Sequence, residues 1–214
     1  MRRIAFLAAA LAAVFLGSFL LCQMFGVLTP AWTRAWLASL SAGWSLAAAA
    51  ALLAADLVLP VPSSVVLAAA GWTAGWPAAA AAGAAGMLAG NLAGYWLCRL
   101  AGDRLLHRLV KPEEAARFGR WLARWGPAAL VISRLVPMMA ETLSCLAGFG
   151  RMAFGRFAAA LVLGTVPVAL FFAYVGARGQ RSESPGWVLV ISLAVPAAGW
   201  LAFAIFARGK GLEG

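Results

Sequence analysis

"ISRLVPMMAETLS", Ile132 to Ser144, sets an arginine, a proline and a glutamate inside a stretch whose other residues belong to a bilayer interior. An ionisable side chain at membrane depth costs about 2.5 to 3.5 kcal/mol on insertion scales, so it normally faces a partner or a water-filled cavity. Proline lacks a backbone donor and breaks helices. The stretch from about Gly126 to Gly150 is therefore expected to enter the membrane as a half-helix, turn at a polar tip around Arg134, Pro137 and Glu141, and leave on the same side. An earlier stretch, about Leu46 to Gly75, is interrupted in the same way by "DLVLPVPSS", with Asp56, Pro60 and Pro62 near its middle and Ser63 just beyond.

The rest of the chain supports a membrane setting. Its 214 residues are 64% hydrophobic, with a mean hydropathy of +0.90, too apolar for a soluble domain of this size. Four segments are long and apolar enough to span: roughly Ile4 to Leu28, Pro77 to Cys98, Phe157 to Gly176 and Trp187 to Phe206. The first resembles a signal peptide behind Arg2 and Arg3, but its uncharged run is longer than a typical apolar signal core, and it is read as a retained span.

Charge fixes the expected orientation. The formal net charge is +10. With the N-terminus inside and both broken stretches re-entrant, only Arg34, Arg178 and Arg181 fall outside and Arg134 within the membrane; all other lysines and arginines lie inside. If both stretches crossed fully, the arginine-rich segment from Arg99 to Arg124 would move outside, against that bias. The segment itself has leucines and tryptophans at helical spacing between its arginines, which predicts an amphipathic helix, or two joined near Pro112, on the inner surface; a solvated loop is the alternative.

A shift of 77 residues superposes Pro60 on Pro137, Ala70 on Ala147 and Gly71 on Gly148, and brings Asp56 within one position of the equivalent of Arg134. Each copy is a broken stretch followed by a span, and the copies start on opposite sides. The expected fold is thus an all-α integral membrane protein with four spanning helices plus two opposed re-entrant helical hairpins in an inverted repeat, an architecture of many secondary transporters. It divides into an N-terminal span and outer connection (1–42), a core (43–178) with repeats at 46–98 and 126–176 around an inner loop at 99–125, and a C-terminal span with a basic tail (179–214).

Two tips meeting from opposite faces would gather Asp56, Arg134 and Glu141 as a substrate and proton site, with half-helix ends near Pro60, Pro62, Ser63 and Pro137 adding polar contacts. The competing reading is a structural ion pair fastening the hairpins. Asn91 either lines the cavity or bonds helix to helix. Cys22, Cys98 and Cys145 lack the spacing of a disulfide framework or metal site, and no catalytic residue, metal or cofactor is expected.

"DLVLPVPSS" resembles the acidic-x3-Pro-x-Pro signature of the DedA family, also called the VTT or SNARE-associated domain, and "GPAALVISRLVPMMAETLSCLAGFGRMAFGRF" resembles its second signature, a glycine, then Arg-x2-Pro, then Ala-Gly and a late Phe. The resemblance covers about Gly43 to Gly176. It implies two opposed re-entrant hairpins and a role in moving lipids across membranes, often tied to the proton gradient, and it implicates Asp56, Pro60, Pro62, Arg134 and Pro137. The chain departs from the pattern where Ser63 and Ser64 replace an acidic residue and where Ala140, beside Glu141, replaces a second arginine.

The expectation is a non-enzymatic transporter or scramblase in a bacterial plasma membrane, multi-pass with both termini cytoplasmic. Its partners would be an anionic phospholipid or polyprenyl phosphate, with protons as a coupling ion; no nucleic acid is expected, and a homo-oligomer is compatible. A structural or assembly factor held by its buried charges is the alternative, ahead of a lipid-headgroup enzyme.

Overall fold

The computed structural model describes residues 30–57, 59, 61–109, 112–134 and 139–179. The expected spans at Ile4 to Leu28 and Trp187 to Phe206, and the prolines Pro60 and Pro137, lie outside these residues. The regular structure among the described residues is all helical, without strands: α1 (Pro30–Ser39), α2 (Ala42–Ala55), α3 (Ser63–Ala74), α4 (Trp76–Leu109), α5 (Pro112–Ser133), α6 (Met139–Phe149) and α7 (Phe154–Gly179). Among them, α7 is long and apolar enough to cross a membrane.

Both broken stretches break where the sequence requires. After α2 the chain turns through Asp56 and Leu57 and re-enters a helix at Ser63, directly behind Pro62, whose fixed φ and missing donor suit that position. Gly75, at φ +85°, ends α3 in a conformation that a side chain would strain, and its N–H donates to the Gly71 carbonyl. In the second stretch α5 ends at Ser133 and α6 begins at Met139. The starts of α3 and α6, and those of α4 and α7, are separated by almost the same number of residues, close to the 77-residue shift that aligns the sequence with itself.

The arginine-rich segment lies on two helices that end and start near Pro112, one of the two expected forms, and each is continuous with a neighbouring element. The helix of the second span candidate continues as α4 to Leu109, and α5 starts at Pro112 and runs unbroken into the second broken stretch, through Pro127. Its first half is amphipathic as expected: Phe118 and Leu122 are buried while Arg117, Arg120 and Arg124 are exposed. Proline at 127 leaves the Ala123 carbonyl without its helical donor. Arg156 of α7 donates to that oxygen, so a side chain from the neighbouring helix lets α5 pass its proline.

Two apolar clusters form the core. One gathers Leu37, Leu53, Val66, Leu67 and Phe172; the other gathers Tyr95, Leu130, Leu146, Phe157 and Leu161. Each hairpin's second helix packs on the long helix of the opposite half: Gly71 of α3 against the Ala173 backbone of α7, and Gly148 of α6 against the Tyr95 backbone of α4. Gly71 and Gly148 are equivalents under the 77-residue shift, so the halves make the same glycine-on-backbone contact on each other. The turn between α6 and α7 is latched as well. Tyr95 Oη donates to the Met152 carbonyl at 2.6 Å, Arg99 donates to the same oxygen at 3.0 Å, and Tyr95 stacks on Phe157 at 4.3 Å.

The exterior stays apolar. Leu97, Leu100 and Leu163 are 60, 75 and 67% exposed, in company with Trp44, Trp96 and Phe171. So much large apolar surface suits a lipid environment rather than water.

Candidate functional site

The breaks in the two hairpins bring three charged side chains together. Asp56 follows α2 at the first break, Arg134 follows α5 at the second, and Glu141 lies in the first turn of α6, where a helix N-terminus favours an anion. Asp56 and Glu141 both act electrostatically on Arg134, and Glu141 acts on Asp56. Of the expected site residues, these three therefore share one neighbourhood.

Arg134 is buried, at 9% exposure, and among the described residues none of its Nε, Nη1 and Nη2 atoms has a hydrogen-bond partner. A guanidinium carries five N–H donors in a fixed fork, and leaving them unmet in an apolar interior is costly. Backbone packing holds the side chain there. Gly164 of α7 lacks the Cβ that would stand 2.9 Å from Arg134 Cγ and 3.2 Å from Val131 Cα, so α7 presses against the arginine's stem.

Asp56 has a local task too. Its Oδ1 accepts a hydrogen bond from the Val61 N–H at 2.8 Å, closing the loop that leads to Pro62. Ser63, the first residue of α3, is half-buried at the start of that helix. Asn91 takes the helix-to-helix role: its Nδ2 donates to the Met87 carbonyl at 2.9 Å and its Oδ1 accepts from Ser144 of α6 at 2.7 Å. Sequence reading left Cys98 and Cys145 unrelated. Both are free thiols and they approach each other between α4 and α6, one turn beyond Gly94, whose missing Cβ would lie 3.7 Å from Cys145 Sγ. Among the described residues no group of three or more His, Cys, Asp or Glu is placed to hold a metal ion.

An all-helical chain with much exposed apolar surface and a buried arginine near two acidic residues has the character of a membrane protein, and comparison gives its family. The chain belongs to the VTT domain family, whose match runs over residues 61–178. It is also similar to the undecaprenyl phosphate transporter A of Bacillus subtilis (strain 168), a DedA-family protein, at 28% identity over 87 residues. That alignment covers 38% of this chain and 44% of the relative, so the chain spans under half the length of the relative it matches. No solved structure matches.

Proposed function

We propose that this protein carries an anionic lipid, a polyprenyl phosphate or an anionic phospholipid, across a bacterial plasma membrane, with Arg134 as headgroup ligand and Asp56 and Glu141 as proton-linked carboxylates. The observation that carries this reading is the buried guanidinium of Arg134, whose donors find no partner among the described residues although two carboxylates stand near. A fork of this kind matches two oxygens of a phosphate. A purely structural ion pair would use those donors on a carboxylate.

In this reading α2–α3 and the end of α5 with α6 are re-entrant hairpins from opposite faces, arranged as an inverted repeat among four spans. The glycine contacts exchanged between halves support it. So does depth: at about 1.5 Å per residue, Gly164 lies about 15 Å along α7 from Phe154, half of a hydrocarbon core of about 30 Å, and Arg134 packs on Gly164. Membership in the VTT family and the name of the Bacillus relative favour a lipid as cargo. The acid of Asp56, bonded to Val61, favours the rival assembly-factor reading for that residue alone.

The test is lipid movement in proteoliposomes by wild type, Arg134→Gln, Arg134→Lys and Glu141→Gln at matched folding, with and without a pH gradient. Loss in Arg134→Gln of at least tenfold, with partial activity in Arg134→Lys, supports a headgroup ligand. Equal transport by wild type and all three variants would end the proposal.

A further inference from the structure

The two halves are built alike but sealed differently. In the first, α2 lies directly on α4 because glycines bare the α4 backbone: Gly86 meets the Ala50 backbone, and Gly90 meets the Ala54 carbonyl, 2.6 Å from where its Cβ would be. Gly83 lies against Leu53 and Leu67. Adding 77 to Ala50, Ala54, Gly83 and Gly86 gives Pro127, Val131, Ala160 and Leu163. Those four residues, with Ala128, Ala159 and Arg156, line an open apolar groove of about 330 Å³ between α5 and α7. Where the first half has glycine, the second has Ala160 and Leu163; where α2 has alanine, α5 has the ring of Pro127. The bulk holds the second seam apart.

The groove has a cation at each end. Arg156, exposed and one turn into α7, borders it where α7 starts, held by its bond to the Ala123 carbonyl. At the other end, Gly164 lies against the Arg134 stem, and the Val131 carbonyl accepts from the Arg134 N–H at 3.3 Å. Arg156 and Gly164 are eight residues apart, about 12 Å along the helix. Ala128, Ala159 and Leu163 leave its flank exposed along its length.

We propose that the α5–α7 seam is the lateral entry for the lipid from the inner leaflet: its hydrocarbon chain lies in the groove while its phosphate passes from Arg156 to Arg134, and the glycine-sealed α2–α4 seam is the closed counterpart in the other leaflet. This rests on the proposed transport function. The occupant is set by complementarity: one anion with one apolar tail satisfies a cation at the mouth, an apolar wall between, and an unmet guanidinium at depth.

The experiment uses full-length protein in phosphatidylcholine vesicles containing a polyprenyl monophosphate with a diazirine in its chain, and reads both crosslinked peptides and transport. Wild type is expected to label within 127–131 and 159–163. Ala159→Trp, which fills the groove from an exposed position, is expected to lose that labelling and at least tenfold in transport, while Leu97→Trp, equal bulk at an exposed site on α4, keeps both. Labelling confined to other helices, or an Ala159→Trp protein that labels and transports like wild type, overturns the entry path. If Ala159→Trp transports normally while Arg134→Gln does not, the entry path falls and the transport site stands. If Arg134→Gln transports normally, the site itself falls and the crosslinks alone decide whether the seam holds a lipid chain.

Discussion

Gly164 sits against Arg134 so closely that a Cβ at 164 would stand 2.9 Å from the arginine's Cγ. The Cγ lies near the backbone and cannot swing clear as a side-chain end could. Gly164→Ala is therefore expected to displace the guanidinium and reduce transport several-fold while costing stability about 1 to 3 kcal/mol by overpacking. Transport at the wild-type rate, with the thermal midpoint unchanged, would contradict a tightly held arginine.

Asp56 combines a charge with a loop-closing acceptor, and two substitutions separate them. Asp56→Asn keeps an acceptor for the Val61 N–H, so folding should change little while proton-linked transport is lost. Asp56→Ala removes the bond as well and should cost a further ~1 kcal/mol. If both variants are equally inactive and equally unstable in detergent melts, the acid serves the fold.

Asn91 and Ser144 tie α4 to α6 through one buried hydrogen bond of 2.7 Å. A double-mutant cycle with Asn91→Ala and Ser144→Ala should return a coupling of about 0.6 kcal/mol, the average for such pairs in bilayers. A coupling indistinguishable from zero would mean that each residue finds another partner.

Glycines fall into opposing groups. Gly148→Val places side-chain carbons into the Tyr95 backbone and should cost about 1 to 3 kcal/mol or prevent folding. Gly119 and Gly155 face open space within helices, so alanine there should stabilise by about 0.5 to 1 kcal/mol. Melting midpoints that move the same way in both groups would refute this packing.

Orientation can be read by labelling single cysteines in a cysteine-free background. Glu113→Cys, exposed at the start of α5, should resist an impermeant maleimide added to intact cells, and Ala78→Cys, exposed at the start of α4, should react. The reverse pattern would invert the topology and assign the open seam to the outer leaflet.

The hairpin breaks were legible because proline and charge interrupt apolar runs at Asp56 to Pro62 and after Ser133. The approach of Asp56, Arg134 and Glu141 followed from a repeat detectable through Pro60 with Pro137 and Gly71 with Gly148. What the sequence hid depends on pairing between helices. Periodicity marks α5's apolar face but not its continuity across Pro127, which Arg156 makes tolerable from another helix. The thiols of Cys98 and Cys145 meet only because Gly148 and Gly94 bring α6 onto α4. The open seam was invisible for a similar reason: an alanine or leucine in an alanine-rich chain signals nothing until the equivalent glycine in the other half is known.

The exchanged glycine contacts bear on how the protein is made. During synthesis α3 emerges long before α7, yet the backbone that Gly71 rests on, at Ala173, belongs to α7. The first hairpin thus leaves the ribosome without its seat and must remain unanchored on that face until roughly a hundred further residues have been added, several seconds at about 5 to 20 residues per second. The second hairpin has no such wait, because Tyr95 is already in place when Gly148 arrives. Damage to the late helix should therefore be felt as misinsertion of the early hairpin, and a ribosome stalled before α7 should leave α2 and α3 open to membrane quality-control proteases.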